Sequence, residues 1–345
     1  MKTFAAIDVG SFELTMKIYQ FSGKNKMREI DRIGRHLALG TDTYSDGKIG
    51  PEKMDELCRT LREFAEIMKA YKVDDYRAYG TSAIRETENT TIILDQIAQR
   101  TGIKVEVLSN SEQRFLDYKS IASKGESFRK IIEERTAIVD IGGGSIQISL
   151  FDNDALIATQ NMRLGVLRVQ DRINHLNAKP SQRMSLVDEM ASAQLTTFKK
   201  MYLKDYTIKN IIIVDDYLSP LAVKKAGKDG ARAVADILEY ENLVEQLHVT
   251  SQMQAAILLD ISEEKVPLVY ISAIVMRRIA LLFGAEKIWA PGVTLCDGIA
   301  YEYAEQNKLL AGEHDFEKDI IACAMNISKR YMEAESGRRH WKRLH

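Results

Sequence analysis

Residues 136–151 read TAIVDIGGGSIQISLF. The stretch predicts a buried apolar strand, a tight glycine turn and a second strand. Successive glycines let backbone N–H groups approach a ligand closely, and such a turn attracts phosphate. Asp140 ends the first strand, where a carboxylate can hold a metal ion directly or through water. A glycine triplet alone is equally compatible with an ordinary hairpin turn, so its meaning depends on the rest of the chain.

The same pattern occurs near the start of the chain. Residues 4–11 read FAAIDVGS, and the alternating segment LTMKIY follows at 14–19. Here too an apolar strand ends in an aspartate, Asp8, with Gly and Ser close behind. Two such hairpins about 130 residues apart predict two similar halves that face one ligand, each with a carboxylate and a phosphate loop. We therefore expect the α/β fold of actin, sugar kinases and heat-shock ATPases, with two ribonuclease H-like lobes around a cleft.

Length and composition limit the alternatives. The 345 residues suffice for two domains of ordinary size, and 45% hydrophobic with 28% charged residues is typical of globular proteins. A net charge of −1 gives no overall field favouring nucleic acid or a membrane surface as partner. Cys58, Cys296 and Cys323 lack metal-ligand spacing and indicate reduced thiols of a cytoplasmic protein. We expect no signal peptide and no apolar run long enough to cross a bilayer.

The pattern of elements divides the chain into three parts. We predict an N-terminal lobe over 1–125, a second lobe over 126–310 with a hinge near 124–135, and a helical tail over 311–345. The tail enters the basic sequence RRHWKRLH with no Gly or Pro to end its helix. Either the chain is a fragment of a longer protein, or the tail is a frayed basic terminus.

Two local predictions bear on the cleft. Residues 42–48 are polar and are expected to form a loop. Ser109 is expected to begin a helix, with Glu112 in capping-box position three residues later. This places Gln113 in the first turn of that helix.

With these residues in view, the chain resembles the Ppx/GppA family of exopolyphosphatases and guanosine pentaphosphate phosphatases. The resemblance covers most of the chain and lies in segments that keep the family's order and spacing. They are AIDVGS at 6–11, GTSAIRETEN at 80–89, VLS at 107–109 with Glu112 and Tyr118, VDIGGGS at 139–145 and RLGVLR at 163–168. The tail is similar to the start of the helical domain that longer members carry.

The resemblance implies release of terminal phosphate from inorganic polyphosphate or guanosine pentaphosphate by attack of water. By position it implies that Asp8 and Asp140 orient Mg²⁺. The phosphate-binding residues that it implies are Gly10, Ser11, Arg85, Gly142, Gly143, Gly144 and Ser145. Plainer interpretations stay open: the two aspartates as turn-stabilising residues, and Arg85 as part of a surface ion pair. A homodimer is expected by analogy with relatives.

Several departures from the family pattern fall on functional positions. After the first aspartate, the family's Gly-Ser-Asn-Ser is replaced by a sequence with Phe12 and Glu13. A glycine-rich loop after a late strand is replaced by DDYLSP at 215–220, which removes an anion nest and adds two negative charges. The family's Gly-Leu-Arg-Glu-Gly element reads TLCDG at 294–298 and lacks the arginine.

The catalytic carboxylates are altered as well. Without a gap, the family's catalytic glutamate falls on Gln113, and a second acidic position falls on Gln147. Glutamine can orient a water but cannot take its proton at neutral pH, and loss of a general base typically costs about 10²–10⁴ in rate. Glu112 could replace it only with a local register shift, because adjacent helical residues point about 100° apart. The cap with Ser109 is the role that its spacing favours.

Three functions follow from these observations. The first is a magnesium-dependent phosphohydrolase, with Gln113, Glu112 and Gln147 as candidates for the catalytic positions. The second is a degenerate homologue that binds polyphosphate or nucleotide as a sensor or regulatory protein. The third, a kinase of the same fold, is disfavoured because residues 215–220 replace the loop on which such kinases seat adenosine.

Overall fold

The first half of the chain forms a mixed five-stranded sheet. The computed structural model describes residues 2–23, 26–203, 206–226, 234–235, 237–312 and 314–341. The strands are β1 (Lys2–Val9), β2 (Glu13–Phe21), β3 (Met27–His36), β4 (Asp75–Gly80) and β5 (Val105–Val107). The first three pair antiparallel, β4 pairs parallel with β1, and β5 pairs parallel with β4, so the order across the sheet is β3-β2-β1-β4-β5. The helices are α1 (Leu39–Ser45), α2 (Pro51–Ala70), α3 (Ser82–Glu86), α4 (Thr90–Thr101) and α5 (Asn110–Ala122).

The second half repeats this plan after a short helix, α6 (Glu126–Ile132). Its strands are β6 (Thr136–Ile141), β7 (Ile146–Asp152), β8 (Ala155–Met162), β9 (Asn210–Asp215), β10 (Val234–Ala235) and β11 (Lys287–Trp289). They lie in the order β10-β11-β9-β6-β7-β8. Counted from β8, this is the order of the first sheet, with β10 added at the far edge. The predicted duplicated α/β fold is therefore confirmed.

Helices α7 to α14 lie in the second half of the chain and in the tail. They are α7 (Val166–His175), α8 (Pro180–Phe198), α9 (Ser219–Ala226), α10 (Ile237–Val249), α11 (Gln252–Leu259), α12 (Val266–Phe283), α13 (Leu295–Gln306) and α14 (Phe316–Trp341). A π-helical turn, Lys199–Leu203, extends α8, and a 3₁₀ turn, Glu263–Lys265, precedes α12. Phe316 and Cys323 of α14 are buried against the second sheet.

Each half gives a helix to the sheet of the other. Tyr118 of α5, which belongs to the first half by sequence, is buried with Phe151 of the second sheet. Ile299 of α13 is buried with Phe4 and Tyr19 of the first sheet. Packing therefore crosses the boundary near 125, and the three-part division of the chain stays a prediction.

One local expectation was wrong. The segment predicted as a polar loop at 42–48 begins inside a helix, since α1 spans Leu39–Ser45. Its composition hid this, because a short polar helix shows no apolar periodicity. The segment 124–135 contains α6, whose Phe128 and Ile132 are buried in the second half, and its role as a hinge stays a prediction.

The expectation that no apolar run could cross a bilayer was also wrong. Residues Glu263–Phe283, the 3₁₀ turn together with α12, form a helical stretch of 21 residues that is long and apolar enough by composition. In the structure, 67% of its most apolar window is buried inside the molecule. Leu268 and Ile274 of this helix are fully buried in the core of the second half.

We predict that Gly298→Ala destabilises the fold, because Gly298 sets the distance between α5 and α13. An added Cβ would overlap the carbonyl oxygen of Leu116 and lie 2.6 Å from its carbonyl carbon. Overpacking of this kind costs about 1–3 kcal/mol, and a backbone atom cannot rotate away as a side chain can. The gain in helix propensity from glycine to alanine, about 1 kcal/mol, acts in the opposite direction.

Urea unfolding of both proteins measures this effect. We expect a lower midpoint for Gly298→Ala with a similar slope. An unchanged or higher midpoint would show that α5 and α13 can separate at little cost.

Candidate functional site

The two aspartate–glycine hairpins meet at one cavity of about 70 Å³. The residues predicted for the site that line it are Asp8, Gly10, Ser11, Gln113, Asp140, Gly142, Gly143 and Ser145. The loops touch each other, since a Cβ added to Gly143 would lie 2.8 Å from Ser11 Cβ. The cavity therefore stands where the duplicated fold brings its two halves together.

Two of the remaining predicted residues are engaged near the cavity but do not line it. Arg85 Nη1 donates to the carbonyl of Leu108 at 2.7 Å and to Gln113 Oε1 at 3.3 Å. Gly144 faces the first half, where a Cβ would overlap the hydroxyl of Tyr44. Their roles in ligand binding stay predictions.

The other two predicted catalytic candidates also lie outside the cavity lining. Glu112 closes a capping box, in which its Oε2 accepts from the N–H of Ser109 at 2.8 Å and its own N–H donates to Ser109 Oγ at 3.2 Å. Gln147 is 2% exposed and pairs with Asp140 across β6 and β7. Within the described residues its side-chain amide has no hydrogen-bond partner.

The start of α7 fixes the glycine loop of the second hairpin. Three donors reach the carbonyls of residues 142–144 in turn: Val166 N at 3.1 Å, Leu167 N at 3.0 Å and Arg168 Nε at 3.0 Å. Gly165 has no room for a Cβ, which would overlap the backbone of the loop. The segment at 163–168 therefore supports the glycine loop at 139–145, which gives a structural reason for the presence of both in the chain.

These bonds also orient the loop's amides. In a trans peptide the C=O and the following N–H point in opposite directions. Since the carbonyls of 142–144 point at α7, the N–H groups of 143–145 point away from it. Gly142 differs, because its N–H donates to the carbonyl of Ser145 at 2.9 Å and closes the hairpin. The predicted use of the Gly142 amide for phosphate conflicts with this bond.

The first hairpin is held in a similar way. The N–H groups of Leu37 and Ala38 donate to the carbonyl of Phe12, and that of Gly40 donates to the carbonyl of Ser11 at 2.7 Å. By the same peptide geometry, the N–H of Phe12 points away from α1. The Phe12 ring packs 4.1 Å from the ring of His36, and its residue forms part of the cavity wall.

Side-chain hydrogen bonds and a cation–π contact join the two halves beside the cavity. Ser11 Oγ, Tyr44 Oη and Ser82 Oγ form a hydrogen-bonded triangle with distances of 2.8–2.9 Å. The guanidinium of Arg168 lies 4.3 Å from the centre of the Tyr44 ring and donates to Glu86 at 2.7 Å. Sequence reasoning missed Tyr44, because it placed the residue in a loop without structure of its own.

Further carboxylates line the cavity. Besides Asp8 and Asp140, they are Glu13, Asp117, Asp215 and Asp216, and the described lining includes no Lys or Arg. Asp215 accepts from the N–H groups of Leu218 at 2.9 Å and Ser219 at 2.6 Å. It thus caps the start of α9 where the family pattern has a glycine loop.

Asp117 is a site residue that the sequence analysis missed. It lies four residues after Gln113 on α5, and residues at this spacing share one helix face. Both line the cavity. The four-residue spacing from Gln113 was the signal in the sequence that could have identified Asp117. A single Asp in a helix of both polar and apolar residues is, however, more often exposed to solvent.

Burial and repulsion from neighbouring carboxylates raise the pKa of Asp140, Asp117 and Asp8 above the usual range of an aspartate. Burial is the main cause that raises the pKa of Asp140 to about 7, with Asp216 and Asp215 adding repulsion. Burial, followed by repulsion from Asp140 and Asp8, raises the pKa of Asp117 well above its usual range. The pKa of Asp8 is raised in the same way, first by burial and then by Asp216 and Asp140.

The donor set would suit a magnesium ion whose remaining coordination positions are filled by phosphate and water oxygens. Asp8 Oδ1 is enclosed and receives no hydrogen bond from the described residues. Within those residues, no three His, Cys, Asp or Glu side chains are placed to share one metal ion. Mg²⁺ in phosphate-handling proteins commonly uses one or two carboxylates, with phosphate and water supplying the other oxygens.

Comparison with known proteins agrees with this geometry. An exopolyphosphatase structure from Cytophaga hutchinsonii superposes with a TM-score of 0.76 at 18% identity, covering 90% of this chain and all (100%) of that one. Exopolyphosphatase 2 of Mycobacterium tuberculosis is 23% identical over 55% of this chain and 61% of its own length. The guanosine-5'-triphosphate,3'-diphosphate pyrophosphatase of Photobacterium profundum is 26% identical over 49% of this chain and 33% of its own.

These alignments span less than two thirds of the curated relatives' own length. The family assignment rests on a broader match. The model of the Ppx/GppA phosphatase family matches residues 18–307, which include the glycine loop, the α5 segment and the start of α13. The chain belongs to the Ppx/GppA phosphatase family.

Proposed function

We propose that this protein is a phosphohydrolase that releases terminal phosphate from inorganic polyphosphate or guanosine pentaphosphate. The observation that carries the proposal is the pair of hairpins, each with an aspartate and a backbone loop, that face one cavity. Membership of the Ppx/GppA phosphatase family supports it, as do the names of the aligned exopolyphosphatase and pyrophosphatase.

The loops supply the anion-binding groups in this proposal. The N–H groups of 143–145, which point away from α7, and the hydroxyl of Ser11 would bind phosphate oxygens. Gly10 and Arg85 would assist from the first half. Donors of this kind, fixed before the substrate binds, stabilise the charge on a transferring phosphoryl group.

Asp8 and Asp140 would hold Mg²⁺ between the two loops. The ion would neutralise charge on the terminal phosphate and leaving group when it is bound. The crowding of carboxylates supports this role, because a polyanion cannot approach them without a compensating cation.

Gln113 would orient the attacking water. Its Oε1 accepts from Arg85 at 3.3 Å, and its Nε2 lies 3.5 Å from Asp140 Oδ2. These contacts fix its amide at the cavity wall. Glu112 is already used by its cap, which argues against a direct role in catalysis.

A second function, binding of polyphosphate or nucleotide without turnover, is favoured by a different observation. Asp215 and Asp216 line the cavity in place of a glycine loop, and Gln113 stands where the family pattern has its catalytic carboxylate. Under this proposal the protein acts as a sensor or regulatory subunit. A cytoplasmic location, a homodimer, and the absence of nucleic-acid and membrane partners stay predictions under both proposals.

Phosphate release from long-chain polyphosphate and from guanosine pentaphosphate separates the two functions. The hydrolase proposal predicts release that requires Mg²⁺, stops with EDTA, and falls about 10²-fold or more in Asp140→Asn. Asp95→Asn, an exposed change on α4, serves as the matched control. Binding of both substrates without any release, together with a gain of release in Gln113→Glu, would instead support the sensor.

The raised carboxylate pKa values predict how stability depends on pH. A raised folded-state pKa stabilises the protein below the unfolded pKa of about 4 and loses that contribution as pH rises through the folded value. Without metal, we therefore expect the free energy of unfolding to fall by about 1 kcal/mol or more between pH 5 and 8. Added Mg²⁺ should stabilise the protein more at pH 8 than at pH 6.

Urea unfolding across this pH range, with and without Mg²⁺, measures the effect. Asp140→Asn removes one titrating group whose pKa is raised to about 7 and should show a weaker decline. A wild-type stability that rises from pH 5 to 8, or an identical pH dependence in the variant, would contradict the account of the cavity's charge.

A further inference from the structure

Helix α14 packs on the second half with only a small part of its apolar surface. It buries Phe316 and Cys323 against the second sheet. Three larger apolar side chains of the helix face away, with exposed fractions of 50%, 54% and 61% for Ile320, Ile321 and Met325. Hydrophobic stabilisation scales with the apolar area removed from water, so these three side chains add little to the docking of α14. Polar contacts at the start of the helix therefore carry more of the attachment.

A buried histidine makes the main polar contact. His314 Nε2 lies 2.7 Å from Oδ2 of Asp319 in the first turn of α14. His314 Nδ1 lies 3.5 Å from Oδ1 of Asp154, in the turn between β7 and β8. The side chains of His314 and Asp319 are only 6% and 2% exposed. One imidazole thus connects a carboxylate of α14 with a carboxylate of the second sheet.

Asp319 also contacts the edge of that sheet. Its Oδ1 accepts from the backbone N–H of Leu156 at 3.3 Å, and Leu156 belongs to β8, the edge strand. Edge strands carry backbone groups that need a partner, and a covering helix can supply one. The carboxylate that His314 holds is therefore the same one that joins α14 to β8.

The charge of the imidazole decides how many of these carboxylates it can serve. A protonated imidazole donates from both ring nitrogens, whereas a neutral one donates from a single nitrogen. With the proton, Nε2–H donates to Asp319 and Nδ1–H faces Asp154. Asp154 Oδ1 is enclosed and, within the described part of the chain, accepts no hydrogen bond. Loss of the proton therefore leaves one of the two carboxylates without an N–H and removes the attraction to both.

The other elements around His314 contribute aromatic rings and one cation. Phe128 of α6 and Phe316 of α14 pack edge to face against the imidazole, with centroid distances of 5.5 and 5.0 Å. On α5, the ammonium of Lys119 lies 5.9 Å from the centre of the Phe316 ring. That ammonium is already paired, at 3.2 and 3.1 Å, with Glu302 and Glu305. It therefore adds little repulsion toward a charged His314.

We propose that His314 is a pH-sensitive anchor, which holds α14 on the edge of the second sheet while the imidazole is charged. When the imidazole loses its proton, the start of α14 detaches from β8 more often. This inference goes beyond the hydrolase function and does not depend on it, because His314 and Asp319 are not among the residues that line the cavity.

The surroundings of His314 set the direction of the pH effect. Burial lowers the pKa of the imidazole, but the hydrogen bond and attraction from Asp319, together with Asp154 and Asp315, outweigh burial and raise the pKa above its usual range. A raised folded-state pKa stabilises the docked helix fully below the unfolded value of about 6.5. That stabilisation is lost as pH rises through the folded-state value.

Hydrogen–deuterium exchange of the full chain, read by mass spectrometry between pH 6 and 9, tests the anchor. At pH 6, residues 316–329 should exchange about tenfold or more faster in His314→Gln than in the wild type, because the variant lacks the charged hydrogen bond. The ratio of the two rates should approach one by pH 9, where the wild type has lost the charge too. The intrinsic chemistry of exchange cancels in this ratio, because both proteins are compared at the same pH.

Two further variants make the test specific. His175→Gln is the matched control, since His175 also lies near an aspartate, Asp171 at 3.4 Å, but its side chain is 69% exposed. It should exchange like the wild type in α14 at every pH. Asp319→Asn removes the partner of His314 and should lose the pH dependence as His314→Gln does.

Equal exchange of α14 in wild type and His314→Gln at pH 6 would overturn the proposal. A rate ratio that stays constant from pH 6 to 9 would overturn it as well, because a purely structural role of His314 has no pH profile. If His314→Gln does not fold, the wild type alone decides. Its opening of α14, measured relative to α2, must rise by about tenfold or more between pH 6 and 9, and the absence of this rise would contradict the anchor.

Discussion

The burial of several neighbouring carboxylates in one cavity is the constraint on which this structure depends. Asp8 and Asp140 end the first strands of the two sheets, and the fold brings these strand ends together. Burial raises the pKa values of both residues, and repulsion from neighbouring carboxylates raises them further. In the proposed function, a cation held between Asp8 and Asp140 would offset this repulsion.

The rest of the fold holds the two halves closed against this repulsion. Each half lends a helix to the other's sheet, and the contact between Gly298 and Leu116 brings α5 and α13 to backbone distance. Beside the cavity, Tyr44 and Arg168 connect the first hairpin and α3 to the glycine loop. The hairpin loops in turn keep their carbonyls on neighbouring segments, which leaves amides of the glycine loop directed away from α7. The chemistry proposed for the cavity follows from these fixed directions.

Much of this arrangement could be predicted from the sequence, for physical reasons that differ between parts. The hairpins at 4–19 and 136–151 are strongly periodic and repeat one pattern, so they determine the duplicated fold and the shared cleft. The cap by Ser109 and Glu112 follows from a local spacing rule, and the structure contains that capping box. Roles for individual residues do not follow from such patterns, and those given to Arg85, Gly144 and Gln147 stay predictions.

Other features depend on contacts between distant parts of the chain and could not be read locally. The helix α1 that carries Tyr44 is short and polar, so it shows no periodic signal. The hydrogen bond from Gly142 N–H to Ser145 depends on how the hairpin closes. The place of Asp117 in the cavity depends on the packing of α5 across both halves, which no single segment of sequence encodes.

The most direct test of the central claim is whether Asp8 and Asp140 act on one bound ion. Calorimetric titration of Mg²⁺ with a non-hydrolysable triphosphate analogue should be compared for wild type, Asp8→Asn, Asp140→Asn and the double variant. If both carboxylates hold the same ion, each single change loses it, and the double variant binds little worse than either single variant. Losses in binding free energy that simply add would show that the two aspartates serve separate sites, and the account of a shared cleft would be wrong.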